Sequence, residues 1–183
     1  MRVFIVRHGK AFESPTSVPA RTDPDFVREL TPRGEAQARF LASKLGGSER
    51  RLRTIVASRY PRALQTAHLI QASMGCDLAT DVRLEVNREV SDALELVAEH
   101  AQDRAIMLVG HNPQLGELIS VLCSGLAPAD LILKTGEMVV IDARSGQLVG
   151  SGRIVERIRM TDEGPADDSV AGAPIEPSTT KRA

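Results

Sequence analysis

Alternating strand and helix patterns are the feature that most limits how this chain can fold. Short apolar runs predict strands at residues 2–6, about 53–57 and 104–109, and a weaker strand in the sequence CDLAT. Helical patterns follow these runs, and two extended runs around Arg144-Ser145-Gly146 predict a terminal hairpin. Strands joined through helices generally run parallel. The sequence therefore predicts an α/β fold with a mostly parallel central sheet, helices on both faces and an antiparallel hairpin at the C-terminal edge.

The predicted helices begin and end at recognisable residues. Thr31 is a good N-cap, Pro32 suits the first helical position, and Gly46-Gly47 is expected to stop that helix. Its apolar residues recur at helical spacing: Ala36, Phe40, Leu41 and Leu45. Further helices are predicted in RYPRALQTAHLIQASMG, which ends at Gly75, in SDALELVAEHAQ, and in NPQLGELISVLCSG, which has Pro113 in its first turn.

The chain has 183 residues, enough for one domain with a full core, and we assign residues 1–160 to it. Residues 161–183 are rich in Pro, Gly, Ala and acidic residues and poor in large apolar ones, which predicts a disordered tail. Residues 9–30 contain three prolines and predict a long irregular loop. Such loops are usually functional or mobile.

Composition excludes several classes of function. The formal net charge is −1, which gives no electrostatic case for general nucleic-acid binding. No stretch approaches the roughly 20 apolar residues of a membrane helix, and the N-terminal apolar run is too short for a signal peptide. Cys76 and Cys123 have no metal-ligand spacing, so we expect two buried thiols in a reducing compartment. The predicted location is the cytoplasm.

Charged and polar residues follow three of the predicted strands. Arg7, His8 and Gly9 follow the first, Ser58 and then Arg62 the second, and His111 follows the strand at 104–109. Ligands of open α/β sheets bind outside the carboxyl ends of the strands. Two arginines and two histidines are therefore expected to meet at one edge of the sheet.

This set of residues suits phosphoryl transfer to a histidine. Guanidinium groups form paired hydrogen bonds with phosphate oxygens, and helix N-termini at Pro61 and Pro113 add backbone N–H donors. Neighbouring arginines disfavour an imidazolium and keep a histidine neutral and nucleophilic. Gly9 leaves room for a phosphate beside the backbone. A metal or other cofactor is not called for.

The blocks VRHG, SRYPRALQTA and LVGHNP, in this order and spacing, resemble the histidine phosphatase superfamily, which also contains the phosphoglycerate mutases. Short length, RELTPRGEAQA and VGHNPQLGELI are similar to the small phosphohistidine phosphatases of the SixA type. The resemblance spans roughly residues 1–160 and implies a phosphoglycerate mutase-like fold and a metal-independent phosphatase. It also implies that His8 is the nucleophile, that Arg7 and Arg62 bind the phosphoryl oxygens, and that His111 stabilises the transition state. Gly9 and Ser58 would complete the phosphate site.

A general acid is less evident. Larger members of the superfamily use a carboxylate to protonate the leaving oxygen, and the candidates here are Glu85 and Glu89, of which Glu85 is the better placed. An imidazole leaves more readily than an alkoxide and needs less help from an acid. The weak signal for an acid therefore favours a phosphohistidine substrate.

Three functions remain open on the sequence. The leading one is dephosphorylation of phosphohistidine on a partner signalling protein, since the chain has no insertion that could close over a small phosphate ester. The second is a broad small-molecule phosphomonoesterase of the same superfamily, with a mutase less favoured. The third is an inactive module that binds phosphorylated ligands. Neither nucleic acid nor membrane is an expected partner.

Overall fold

The structure, a computed structural model, describes residues 1–45, 52–126 and 131–161, and the backbone of 164–168. Four helices lie within these ranges: α1 (Pro32–Lys44), α2 (Pro61–Met74), α3 (Val90–Glu99) and α4 (Gln114–Ser124). The strands are β1 (Arg2–Arg7), β2 (Thr54–Ala57), β3 (Asp77–Thr80), β4 (Ala105–Gly110), β5 (Glu137–Asp142), β6 (Arg153–Thr161) and β7 (Gly164–Asp168).

All seven described strands belong to one sheet, in the order β3-β2-β4-β1-β5-β6-β7. The first four in that order are parallel, and β5, β6 and β7 are antiparallel to their neighbours. The predicted fold is confirmed, including the antiparallel hairpin of β5 and β6. The connection between β5 and β6 is longer than two residues. Within it, Arg144 pairs with Gln147, so the chain turns at Ser145-Gly146 as predicted.

Helices cover both faces of the sheet because the side chains of β1 alternate between two cores. Val3 and Ile5 pack on the face that holds α3 and α4, whereas Phe4 and Val6 pack on the face that holds α1 and α2. Every residue of β4 is buried, as expected for a central parallel strand covered on both sides.

Helix α1 begins as the sequence predicted. Thr31 Oγ1 accepts a hydrogen bond from the backbone N–H of Gly34 at 3.1 Å, and Pro32 is the first helical residue. Of the four predicted apolar positions, Leu41 and Leu45 are buried and Phe40 is partly buried, whereas Ala36 is exposed. The inward face of the helix also carries Gly34, Gln37, Ala38 and Ala42. Apolar periodicity does not predict the burial of Gly34 and Gln37, because neither residue is apolar in the sense that such a pattern counts. The predicted stop at Gly46-Gly47 lies outside the described residues.

Strand β7 falls within the segment predicted to be a disordered tail. Its backbone pairs with the outer edge of β6, Thr161 with Gly164 and Arg157 with Asp168. A free sheet edge can hold such a strand through main-chain hydrogen bonds alone, so composition gives no sign of it. Residues 169–183 lie outside the described residues, and the tail prediction stays a prediction for them.

Two further expectations from the sequence concern the cysteines and membrane-spanning helices. Cys76 and Cys123 are unpaired thiols, as expected, but each is only partly buried, at the margin of a core. No helix of the described residues is long and apolar enough to cross a membrane.

Candidate active site

The carboxyl ends of three strands lie side by side. Register places Arg7 opposite Gly110 in the β1–β4 pair, and Ala57 opposite Val109 in the β2–β4 pair. His8, Ser58 and His111 directly follow these residues in the chain. The predicted meeting of the polar strand ends is therefore what the sheet register produces.

His8 is the buried centre of the site. Its Nδ1 lies 2.7 Å from the carbonyl oxygen of Gly9, and Arg62 Nε–H donates to its Nε2 at 3.2 Å. A carbonyl oxygen can only accept, so Nδ1 carries the proton and Nε2 keeps its lone pair. Burial and the nearby Arg62 and Arg7 guanidiniums outweigh the Gly9 hydrogen bond and lower the pKa of His8 to about 3. The ring is thus held neutral with Nε2 available. Burial is the largest cause of the lowered pKa of His8. The sequence indicated only the effect of the neighbouring arginines.

His111 lies beside His8, with their ring centroids 5.1 Å apart. Its Nε2 is 3.0 Å from Ser58 Oγ, and its buried Nδ1 has no hydrogen-bond partner among the described residues. Burial, followed by the repulsion expected from His8 and Arg62, lowers the pKa of His111 to about 2. Two neutral imidazoles therefore share the site. Tyr60 packs edge-on against His111, with ring centroids 5.1 Å apart.

The two arginines enter the site from different elements. Arg62, in the first turn of α2, is only 3% exposed, whereas Arg7 at the end of β1 is partly exposed. Arg7 donates to the carbonyl oxygen of Leu133 at 2.6 Å, and its Nε has no partner within the described residues. Burial, then the neighbouring Arg62, lowers the pKa of Arg7. Like charges brought this close favour a bound anion between them.

A glycine pair fixes the position of the His8 loop. The backbone N–H of Gly9 donates to Thr66 Oγ1 at 3.0 Å. A Cβ added at Gly9 would lie 2.5 Å from the carbonyl oxygen of Gly34, and one at Gly34 would lie 2.1 Å from that of Lys10. The role expected for Gly9 was room for a phosphate, whereas the tight contact that the structure shows is with the start of α1.

The loop 9–30 is held at the site by backbone pairing between its two ends and by hydrogen bonds to Arg62. Ala11 pairs with Leu30, and the backbone N–H of Phe12 donates to the carbonyl oxygen of Glu29 at 2.9 Å. Asp25 accepts from Arg62 at two points: its carbonyl oxygen lies 2.6 Å from Nη1, and its Oδ2 lies 2.8 Å from Nη2. This loop therefore orients the guanidinium of Arg62.

Asp25 is a residue at the site that the sequence alone does not single out. Burial alone would raise the pKa of its carboxyl, but hydrogen bonds from Arg28 and Arg62 outweigh that effect and lower the pKa. Arg28 Nη1 lies 2.8 Å from Asp25 Oδ1. The mixed charges of DPDFVRE were visible in the sequence, but the partner of Asp25 lies 37 residues further along the chain.

Glu85, the predicted general acid, is paired elsewhere. Its carboxylate accepts a hydrogen bond from Arg59 Nε and has a side chain 16% exposed. Its neighbour Val86 lines the cleft, while Glu85 itself does not. Glu89, the second candidate, is exposed at the N-cap of α3, so neither carboxylate is seen in the cleft.

The site opens into a cleft of about 650 Å³. Seven of the described residues that line it are cationic and one, Glu13, is acidic: Arg7, Lys10, Arg28, Arg33, Arg62, Lys134 and Arg159 are the cations. Only two of these were predicted as site residues. The others come from loops, from the start of α1 and from the antiparallel strands, because β5 begins and β6 ends at this same edge of the sheet.

Comparisons with known proteins point to one family. The family model of the histidine phosphatase superfamily (branch 1) matches residues 3–86. The phosphohistidine phosphatase SixA of Escherichia coli (strain K12) is 28% identical over 133 residues, which cover 70% of this chain and 78% of that protein.

Two solved structures are similar over most of their length. A SixA-type protein from Agrobacterium tumefaciens is 27% identical with a TM-score of 0.69, over 85% of this chain and 96% of that one. The protein histidine phosphatase SixA complexed with tungstate is 23% identical, with a TM-score of 0.72 over 86% and 96%, which supports the shared fold.

Fold and cleft together define a phosphatase with a phosphoglycerate mutase-like architecture. More particularly, the chain belongs to the histidine phosphatase superfamily and resembles its SixA-type members.

Proposed function

We propose that this phosphatase forms a phosphohistidine intermediate on His8 and acts on phosphohistidine carried by a partner signalling protein. The observation that carries the proposal is the Nε2 atom of His8, which is deprotonated, buried and 3.2 Å from a guanidinium N–H of Arg62. A neutral imidazole nitrogen beside two arginines is suited to attack phosphorus.

In the first step, the Nε2 lone pair of His8 forms a bond to phosphorus as the bond to the leaving group breaks. Arg7 and Arg62 neutralise charge on the phosphoryl oxygens, and His111 hydrogen-bonds the phosphoryl group during its transfer. Gly9 and Ser58 hold the loop and the second imidazole in place, since Ser58 Oγ lies 3.0 Å from His111 Nε2. In the second step, water attacks phosphorus and the P–N bond to His8 breaks, which returns the imidazole and releases inorganic phosphate.

The leaving group indicates the substrate. Asp25 is ion-paired to Arg62 and Arg28, and Glu85 is paired to Arg59, so these nearby carboxylates are already engaged. A leaving imidazole needs less protonation than an alkoxide. This supports a P–N substrate, and the Escherichia coli relative is itself named a phosphohistidine phosphatase.

A substrate panel tests the proposal. Wild type and His8→Ala are compared on phosphoramidate, on a phosphohistidine-containing protein and on common phosphate esters, with and without EDTA. The proposal expects P–N substrates to turn over at least about tenfold faster than esters, insensitivity to EDTA, and loss on His8→Ala by about a thousandfold. Rapid turnover of several esters, lost on Glu85→Gln, would instead establish the broad phosphomonoesterase, which stays the alternative.

A further inference from the structure

We propose that the cationic rim of the cleft is a docking surface for an acidic protein face around the scissile phosphohistidine. This inference rests on the proposed function and deepens it. The rim is defined as Lys10, Arg33, Lys134 and Arg159, four of the five cleft-lining cations outside the phosphoryl-binding set. The fifth, Arg28, is paired with Asp25.

The cleft is much more positively charged than the chain as a whole. The protein has 23 Lys and Arg against 24 Asp and Glu, yet the described lining of the cleft has seven cations and one carboxylate. Two cations suffice for a single phosphoryl group. The remaining ones create a positive field that extends beyond the reacting atoms and selects for further negative charge on the substrate.

The rim is built on the same elements as the catalytic histidine. Gln37 accepts from the backbone N–H of Lys10 at 2.8 Å and donates to the carbonyl oxygen of Thr135 at 3.1 Å. The backbone N–H of Gly136 donates to the carbonyl oxygen of His8 at 2.9 Å. These bonds fix Lys10 and the turn that carries Lys134 relative to His8, so the rim charges have defined positions.

Three of the four rim side chains are also available for a partner. Lys10, Lys134 and Arg159 are exposed, and within the described part of the chain none of the three side chains makes a hydrogen bond or ion pair. Neighbouring Glu137, in contrast, is buried and engaged by Arg157 at 3.0 Å. Cations that stabilise no internal contact are suited to external ones.

The surroundings favour a protein face over a small ester. Phe12 lies between two cleft-lining residues of the loop and is 55% exposed. Phe26, 39% exposed, packs edge-on against Tyr60, which contacts His111. Exposed aromatic rings beside Arg and Lys are typical of protein-binding surfaces. We therefore assign the rim to carboxylates of a phosphorylated partner.

Two peptides test the rim. Each carries a stable, non-hydrolysable phosphohistidine analogue, flanked either by Asp and Glu or by Gln and Asn, and affinity is measured by fluorescence anisotropy. The proposal expects the acidic peptide to bind wild type about tenfold tighter at 50 mM salt, with less than about a twofold preference at 500 mM.

Matched variants locate the effect. Lys134→Gln combined with Arg159→Gln should reduce the acidic-to-neutral affinity ratio to about threefold or less, because both substitutions remove exposed charge without adding bulk. Arg153→Gln, an exposed arginine at the opposite end of β6, should keep the ratio of wild type. Circular dichroism confirms that the variants fold.

Equal binding of the two peptides at low salt would overturn the docking inference, as would an unchanged ratio in the double variant. It would also be overturned if a single-stranded oligonucleotide, or a small ester with a second anionic group, competed better than the acidic peptide. Hydrolysis is followed separately on true phosphohistidine peptides. Failure of hydrolysis with a retained acidic preference would reject the proposed function and leave the rim as a binding surface.

Discussion

The phosphoryl-binding half of the site and the rim around it are built in opposite ways. His8, Arg62 and His111 are buried at strand and helix ends, and each ring or guanidinium is oriented by neighbours. Lys10, Lys134 and Arg159 are exposed and held only through their backbone. The difference fits the two proposed tasks, because phosphoryl transfer to His8 needs a fixed low-dielectric centre and recognition of a charged partner needs solvated, accessible cations.

The largest effect should come from removing charge in the buried half. Arg62→Ala is expected to lower kcat/KM for phosphoramidate by about a thousandfold, since it removes both a phosphoryl ligand and the hydrogen bond to His8 Nε2. Arg159→Ala, at the rim, is the matched control and should change the same parameter by less than about threefold. Comparable losses in the two variants would break the distinction between the halves.

Acid should destabilise the buried half selectively. The pKa values of His8 and His111 are lowered to about 3 and about 2, so the unfolded chain binds more protons than the native one below the ordinary histidine pKa of 6.5. The free energy of unfolding should therefore fall as pH drops from 6.5 towards 3, by at most about 1.4 kcal/mol per pH unit for each histidine.

Urea unfolding between pH 7 and pH 4 measures this slope. His111→Gln should reduce the slope most clearly between pH 6.5 and 5, because one of the two buried histidines is gone and the carboxyl groups are still mostly ionised there. His68→Gln, at an exposed histidine, is the control for the substitution itself. A pH-independent wild type would contradict burial of the two rings as neutral groups.

The contact between the His8 loop and α1 can be broken directly. Gly34→Ala places a Cβ 2.1 Å from the carbonyl oxygen of Lys10, so the backbone must move. The free energy of unfolding should therefore fall by about 2 kcal/mol. Gly146→Ala adds a Cβ with no neighbour within 4 Å and should leave stability within about 0.5 kcal/mol. Equal thermal midpoints for the two variants would reject the tight contact.

Asp25 holds Arg62 of the buried half from the loop 9–30, and its loss should have an intermediate effect. Asp25→Asn keeps the size of the side chain but weakens its bonds to Arg62 and Arg28, and kcat for phosphoramidate should fall about tenfold. The exposed Asp77, with Asp77→Asn, provides the control for removing one carboxylate. As a positioning residue, Asp25 should be replaced better by Glu than by Asn, whereas an unaltered kcat in Asp25→Asn would exclude the role.

Glu85→Gln should have the smallest effect. The carboxylate is paired with Arg59 outside the cleft, so turnover of phosphoramidate should change by less than about twofold. Glu89→Gln, the other carboxylate considered from the sequence, should behave alike. A loss confined to Glu85→Gln would show that this residue reaches the leaving group during turnover.

The sequence predicted the buried half well and the rim hardly at all. Arg7, His8, Arg62 and His111 could be placed because parallel strands deliver their carboxyl ends to one edge, a rule that needs only strand order. Lys134 and Arg159 reach the same edge through antiparallel pairing, whose register depends on β5 and β6 and not on any local pattern. Asp25 could not be predicted, because its contact with Arg62 joins residues 37 positions apart in the chain. The full inward face of α1 could not be predicted either, because it contains a Gly and a Gln where periodicity expects apolar residues.

The most direct test of the account is to trap phosphate on the enzyme. Wild type is mixed with ³²P-labelled phosphoramidate or phosphohistidine protein, quenched within milliseconds in alkali, and the labelled peptide is identified. A phosphohistidine intermediate should give an acid-labile, alkali-stable label on His8, absent from His8→Ala and present in Glu85→Gln. Label on another residue, or steady hydrolysis with no label on His8 under single-turnover conditions, would contradict it.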